Sequence, residues 1–254
     1  MNPLIFREYD IRGVADEDFT EADVERLGRA VGTFLGRRGC RRLTVGRDCR
    51  LTSDRYAERL MAGLCAAGIT ATDIGVCPTP VLYFSIPHFR QDGGVMITAS
   101  HNPGHYNGFK ICQGLDSVHG DDIQRIAALI REEDFDSGTG VRRAADAVTP
   151  YTAHLTANLK LARPMRIAVD AGNGTAGPLA VPILRALAAR SRRSTVRWTG
   201  PSRTTKPTPP WSKTCKISSP RCATAASIWA SASTATATAS AWSTSAAASS
   251  TATG

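Results

Sequence analysis

Residues 93–112 read Gly-Gly-Val-Met-Ile-Thr-Ala-Ser-His-Asn-Pro-Gly-His-Tyr-Asn-Gly-Phe-Lys-Ile-Cys and hold the chain's densest chemistry. A strand pattern over Gly94–Thr98 runs into a loop with Ser100, His101, Asn102 and Pro103. Asn-Pro forces a turn, and Gly104 allows a tight path. A serine just past a strand end is expected to stand exposed in a cleft. Its hydroxyl alone is a poor nucleophile and needs a base or a charged neighbour. His101 and Lys110 are near enough in sequence to serve. Spacing alone favours a plainer reading, a polar turn between two strands.

The elements that would hold this loop follow from hydrophobic period. Thr20 and Asp23 have capping-box spacing, and Val24, Leu27, Val31, Phe34 and Leu35 follow on one helical face. Leu43–Gly46 reads as a short buried strand. Ser53 is placed to cap a helix carrying Tyr56, Leu60, Leu64 and Cys65 and closed by Gly68. Thr72–Val76 predicts a strand and Asp121–Ile130 an amphipathic helix. Ile167–Val169 predicts a further strand, and Leu179–Leu187 a helix. Strands separated by helices of this size predict an α/β fold, a mixed sheet sandwiched by helices. The polar segment 134–147 is the best domain boundary.

The chain has 254 residues and a formal net charge of +9. Residues 1–187 carry 22 Lys+Arg and 22 Asp+Glu, whereas 188–254 carry 9 Lys+Arg and no carboxylate side chain. The basic excess therefore belongs to the last 67 residues. This argues against a folded basic face that grips nucleic acid. No run of about 18 apolar residues predicts a membrane span. The opening Met-Asn-Pro-Leu-Ile-Phe-Arg-Glu-Tyr-Asp carries charge where a secretion signal needs an apolar run. The seven cysteines include no C-x-x-C pair and read as free thiols. A cytoplasmic setting is expected.

Three motifs together resemble the α-D-phosphohexomutases, in their bacterial phosphomannomutase/phosphoglucomutase branch. They are Phe6 to Gly13 (FREYDIRG), Gly46 to Arg50 (GRDCR) and Thr98 to Ile111 (TASHNPGHYNGFKI). Asp170 to Gly177 (DAGNGTAG) resembles the opening of that family's second domain. The resemblance implies a phosphoserine enzyme acting on hexose phosphates such as mannose or glucose 1- and 6-phosphate. Ser100 would pass a phosphoryl group to the sugar, and a 1,6-bisphosphate would return one from its other end. Phosphoryl transfer asks for positioning and charge neutralisation, and the resemblance implies Mg²⁺ for the latter, held partly by the phosphate on Ser100. By the same resemblance Lys110 helps move the sugar hydroxyl proton with His101 beside it. Arg12 sits near the phosphoserine, and Tyr9 and Asn102 bind substrate. Without the family, Tyr9 and Arg12 read equally as anchors of an N-terminal turn. Arg47 with Asp48 reads as a surface ion pair, and Asp170 as a loop cap.

The resemblance covers residues 4–187 and then stops. It divides the chain into a phosphoserine-bearing domain over 1–147, an incomplete second domain over 148–187, and a tail over 188–254. From 217 to 254, Ala, Ser and Thr fill 30 of 38 positions, with no period to place a core. Alone, this segment reads as disordered. The family's metal loop, Asp-Gly-Asp-x-Asp-Arg, suits a hard cation but is missing.

The codons offer a reason. Thr is ACN and Ala is GCN. Taking the last base of one codon with the first two of the next turns each Thr into NAC, which encodes Asp among others. Each Ala becomes NGC, which encodes Gly or Arg among others. From Ala232 to Thr244 this reading permits Phe-Asp-Gly-Asp-Gly-Asp-Arg-(Ile/Leu)-Gly-Val-Val-Asp, the missing loop. The reading frame is therefore expected to slip near Leu187–Ala189, leaving a chain without mutase turnover. The competing reading is a non-catalytic α/β module whose basic disordered tail binds nucleic acid or another polyanion; Arg190, Arg192, Arg193 and Arg197 are its support. No specific nucleic-acid partner is expected for the mutase reading.

Overall fold

Hydrophobic stripes at helical spacing alternate with short buried runs, and the chain folds accordingly. The computed structural model describes residues 1–162, 166–169, 171, 174–189 and 195–198. A 3-10 turn at Pro3–Ile5 leads into β1 (Ile11–Val14). Helix α1 (Glu21–Arg37) starts at the predicted capping box, with Thr20 and Asp23 each bonded to the other's backbone. It is followed by β2 (Arg42–Arg47), α2 (Ser53–Ala66), β3 (Thr70–Val76) and α3 (Thr79–His88). Then come β4 (Gly93–Ile97), β5 (Tyr106–Gln113), β6 (Asp116–Ser117), α4 (Asp121–Glu132) and β7 (Arg142–Ala144). The remaining elements are α5 (Val148–Asn158), β8 (Arg166–Val169), α6 (Ala176–Ala189) and β9 (Thr195–Trp198).

The main sheet runs in the order β1-β5-β4-β2-β3-β7, with β6 paired to the end of β5. β4, β2, β3 and β7 are parallel, and β5 is antiparallel to both β1 and β4. The sheet is mixed and lies between helices, as expected. Helices α1, α2 and α4 close one face over Leu43, Val45, Val95, Ile97, Phe109 and Ile111. On the other face α3 packs over Ile74, Cys77 and Met96, backed by Leu179, Ile183 and Leu187 of α6. Gly28 and Gly63 let α1 and α2 touch at backbone distance: a Cβ on Gly63 would lie 2.1 Å from the Glu25 carbonyl.

One local expectation is corrected, and two elements carry no periodic signal of their own. The segment 134–147, expected as the domain boundary, holds β7, which pairs in parallel with β3, and Phe135, which packs on the core. Its polar residues are those of an exposed edge strand, which alternation of apolar residues does not reveal. Ser53 is the first residue of α2 rather than its cap; Thr52 holds the cap position, and the Ser53 hydroxyl is spent on Asp48. Helix α3, with Pro80 and Pro87, had no amphipathic period because it is apolar nearly all round.

Within the tail over 188–254, Ala188 and Ala189 end α6, and Thr195–Trp198 forms a strand parallel to β8. Thr, Val and Trp suit a strand in their own right. Residues 190–194 and 199–254, and Asp170 with its proposed capping role, lie outside the described residues. Among the described residues no helix is long and apolar enough to cross a membrane.

Candidate active site at the Ser100 loop

Two neighbouring parallel strands end side by side. β2 finishes at Arg47 opposite Ile97, the last residue of β4, and the Asp48 amide donates to the Ile97 carbonyl at 2.9 Å. The loops that follow, 48–52 and 98–105, therefore start from one edge, at the carboxyl ends of parallel strands where open α/β sheets bind ligands. The antiparallel β1 and β5 bring two further groups. Ile11 pairs with Phe109, and both enter the first core. Strand alternation then sends Arg12 and Lys110 together to the opposite face. Gly108 permits the crossing, since a Cβ there would meet the Ile11 carbonyl at 2.5 Å and the Thr98 carbonyl at 3.1 Å.

Ser100 sits in the left-handed region at φ 58°. Such a backbone costs a non-glycine residue on the order of 1–3 kcal/mol and persists only where surroundings over-determine it. Its amide donates to Thr98 Oγ1 at 3.0 Å. Its Oγ lies 3.2 Å from His101 Nδ1. With Nδ1 unprotonated, the imidazole is placed to accept the hydroxyl proton. The expected exposure is corrected: Ser100 is only 3% exposed, while His101 beside it is exposed. A strand-end serine stands open only if its loop points outward, and this loop folds back on its own carbonyls.

Arg12 donates from Nη1 to Asn102 Oδ1 at 3.0 Å, which ties β1 to the serine loop. Its Nη2 pairs with Asp10, and Lys110 Nζ reaches the same Asp10 oxygen at 3.1 Å. Side-chain exposures of 12%, 10% and 15% for Arg12, Asp10 and Lys110 put all three largely out of water. Two cations share one carboxylate, so the group carries an excess positive charge. Arg12 Nε is buried with no hydrogen-bond partner among the described residues. An unmade bond of that kind costs on the order of 1–3 kcal/mol, and an anion would relieve it.

The structure thus joins Ser100 to His101, and Arg12 to Asn102. Lys110 enters through Asp10. Tyr9 is 67% exposed, with its ring centroid 6.2 Å from that of His119. The Arg47–Asp48 surface pair is not formed. Arg47 instead binds Asp54 and Asp73, and Asp48, 2% exposed, binds Arg50 and Ser53.

Asp10 and Arg50 escaped sequence reasoning. Asp10 had a signal, since acidic and basic residues two apart in an extended segment share a face. Arg50 had the same signal toward Asp48, two positions before it and its salt-bridge partner; its four carbonyl partners, some 50 residues away, had none. Among the described residues no group of three or more His, Cys, Asp or Glu is gathered for a metal. Asp10, whose partner Arg12 bonds Asn102 of the loop, is taken by two cations, and Asp48 by Arg50. The described residues alone do not fit Mg²⁺.

A family described as phosphoglucomutase/phosphomannomutase, alpha/beta/alpha domain I, matches residues 3–137. A phosphomannomutase/phosphoglucomutase of Pseudomonas aeruginosa is 38% identical over 183 residues, 72% of this chain and 40% of its own length. A phosphomannomutase of Escherichia coli is 39% identical over 181 residues, 68% of this chain and 39% of its own. A crystal structure of a phosphoglucomutase/phosphomannomutase family protein from Burkholderia thailandensis superposes with a TM-score of 0.72 at 34% identity, covering 79% of this chain and 44% of that one. The chain spans about 40% of the length of the curated relatives it matches.

Proposed function

The chain belongs to the phosphoglucomutase/phosphomannomutase family, and we propose that its Ser100 loop is built to carry a phosphoryl group between the two ends of a hexose phosphate. The observation that carries this reading is the strained Ser100, with His101 on its hydroxyl and the Arg12–Asp10–Lys110 group beside its loop.

The steps balance as follows. With Ser100 phosphorylated, a sugar hydroxyl oxygen attacks phosphorus, and its proton passes to a base. The bond from phosphorus to Ser100 Oγ breaks, and Oγ regains a proton. In the return step Ser100 Oγ attacks the phosphate at the sugar's other end, and the sugar oxygen leaves as a hydroxyl. His101 Nδ1 is the group placed to take and restore the serine proton. Lys110 takes the sugar hydroxyl proton once it is neutral and returns it as the ammonium in the reverse direction, and the guanidinium of Arg12 stabilises the moving phosphoryl oxygens. Because Ser100 is buried, it must first be uncovered. The exposed His101 side chain, 3.2 Å from the hydroxyl, is the group proposed to rotate away. No step is assigned to Mg²⁺, whose donors the described residues do not provide.

Glucose or mannose phosphates are the proposed substrates, by analogy with the named relatives, and the free thiols of Cys40, Cys65, Cys77 and Cys112 suit a cytoplasmic setting. We further propose that residues 188–254 are read one base out of frame, so that the chain as written does not turn over. The test is to sequence the gene across codons 185–200 and restore the frame. The restored protein should interconvert glucose 1- and 6-phosphate where the 254-residue chain does not. Turnover by the unrestored chain, or in-frame codons that hide no mutase sequence, overturns the proposal.

A further inference from the structure

Arg50 is almost buried, its side chain 9% exposed, yet it lies in a loop with no catalytic part in the scheme above. A guanidinium has five N–H donors, and here each has an acceptor. Nε donates to Asp48 Oδ2 at 3.0 Å. Nη1 donates to the carbonyls of Pro103 at 2.7 Å and Tyr106 at 3.0 Å. Nη2 donates to the carbonyls of Ser100 at 3.0 Å and Asn102 at 2.7 Å. Four carbonyls of one short segment, 100–106, thus converge on one side chain. We propose that Arg50 is the positioning residue of the serine loop, a cationic template around which the loop is wound so that Ser100 Oγ stands against His101.

The anchor below Arg50 is itself fixed. Asp48 Oδ1 accepts from the Arg50 amide at 3.0 Å and the Ser53 hydroxyl at 2.6 Å. Asn107, fully buried, donates to Thr52 Oγ1 and Ser53 Oγ and so ties the start of α2 to the start of β5. The template therefore stands on two elements of the rigid sheet edge rather than on the loop it shapes. Carbonyls turned onto a largely buried side chain need donors. Without the guanidinium they would turn to water, and the left-handed φ of Ser100 would relax. Displacing a reacting group by about 1 Å can cost on the order of 100-fold in rate. Lysine cannot substitute. It keeps the charge, but its three donors on one nitrogen do not span four carbonyls and a carboxylate.

This inference rests on the phosphoserine reading only for its kinetic consequence; the loop geometry stands by itself. The test compares the 254-residue chain with its Arg50→Lys variant. Amide exchange is followed at Ser100, Asn102 and Tyr106, whose N–H groups are bonded within the loop, and at α1 as a control. Phosphoryl acceptance at Ser100 from glucose 1,6-bisphosphate is followed by intact mass. Arg50→Lys should speed exchange at the three loop amides by about tenfold or more and leave α1 unchanged. It should slow phosphoryl acceptance by about 10–100-fold without moving the half-saturating bisphosphate concentration. Loop exchange equal to wild type, or exchange raised equally in loop and α1, overturns the proposal. Should Arg50→Lys not fold, Asp48→Asn, which keeps an acceptor for Nε but cancels the anchoring charge, must loosen the same three amides and spare α1. If the wild type accepts no phosphoryl group while the loop amides respond as stated, the template stands and the phosphoserine reading is what fails.

Discussion

Replacing Asp10 by Asn should weaken the fold and strengthen anion binding at the same time. Asp10 is 10% exposed and holds both Arg12 and Lys110. Asn keeps the shape and one acceptor oxygen but not the charge. Two ion pairs become bonds from a cation to a neutral oxygen, and two cations face each other without their counter-ion. Removing one partner of a fully buried pair costs about 3–5 kcal/mol, so with side chains 10–15% exposed the loss should be about 2–3 kcal/mol. For a unit of this size that is a fall in Tm of about 5–10 °C. Phosphate should respond in the opposite sense. Removing a negative charge about 6 Å from a bound anion, at an effective dielectric of about 40, contributes about 1.4 kcal/mol, or tenfold in affinity. The assay is thermal unfolding of Asp10→Asn and wild type across a phosphate titration at constant ionic strength. Equal phosphate affinity in the two proteins would refute the idea that Asp10 is the resident counter-ion of an anion-binding pair. So would an unchanged Tm without phosphate.

Other consequences follow from the packing and the charges. Gly63→Ala places a methyl group 2.1 Å from the Glu25 carbonyl and 2.7 Å from the Arg29 amide nitrogen. Backbone cannot yield as a flexible side chain would, so urea unfolding should show a loss of about 2–3 kcal/mol. Asp73 predicts the acid limb of stability. Burial pushes its carboxyl up, but the Gly75 amide and the Arg47 and Arg142 guanidinium groups outweigh burial and hold it below the usual range. A depressed carboxyl stabilises the fold above its unfolded value of about 3.9 and loses that contribution as pH falls through the lower native value. Asp73→Asn should therefore be less stable than wild type at pH 7, with the difference shrinking below about pH 4. A difference that grows on acidification would reverse the sign of the argument.

The sequence made the frame of the fold legible where local signals agree with the tertiary result. Thr20 with Asp23 marks the start of α1, and Gly68, at φ +86°, marks the exit from α2. The buried runs at 43–46 and 94–98 are strands because both their faces are covered by helices, which gives continuous apolar sequence. The same physics hid other elements. α3 is apolar on nearly every side, and β7 is polar at an exposed edge, so neither shows a period. In the site, the motif around Ser100 was legible by resemblance. The burial of Ser100 was not, because it depends on carbonyls gathered by Arg50 across 50 positions. Arg47 and Asp48 show the limit from the other side. Adjacent opposite charges suggest a pair, yet neighbours on a strand point to opposite faces, and each finds its partner elsewhere.

The most direct test of the account is the chemical state of Ser100. The frame-restored chain, incubated with glucose 1,6-bisphosphate, should gain a single phosphoryl group that peptide mapping places on Ser100 and that Ser100→Ala abolishes. A chain that gains none, or gains one on a different residue, would contradict the claim that this loop exists to hold phosphate.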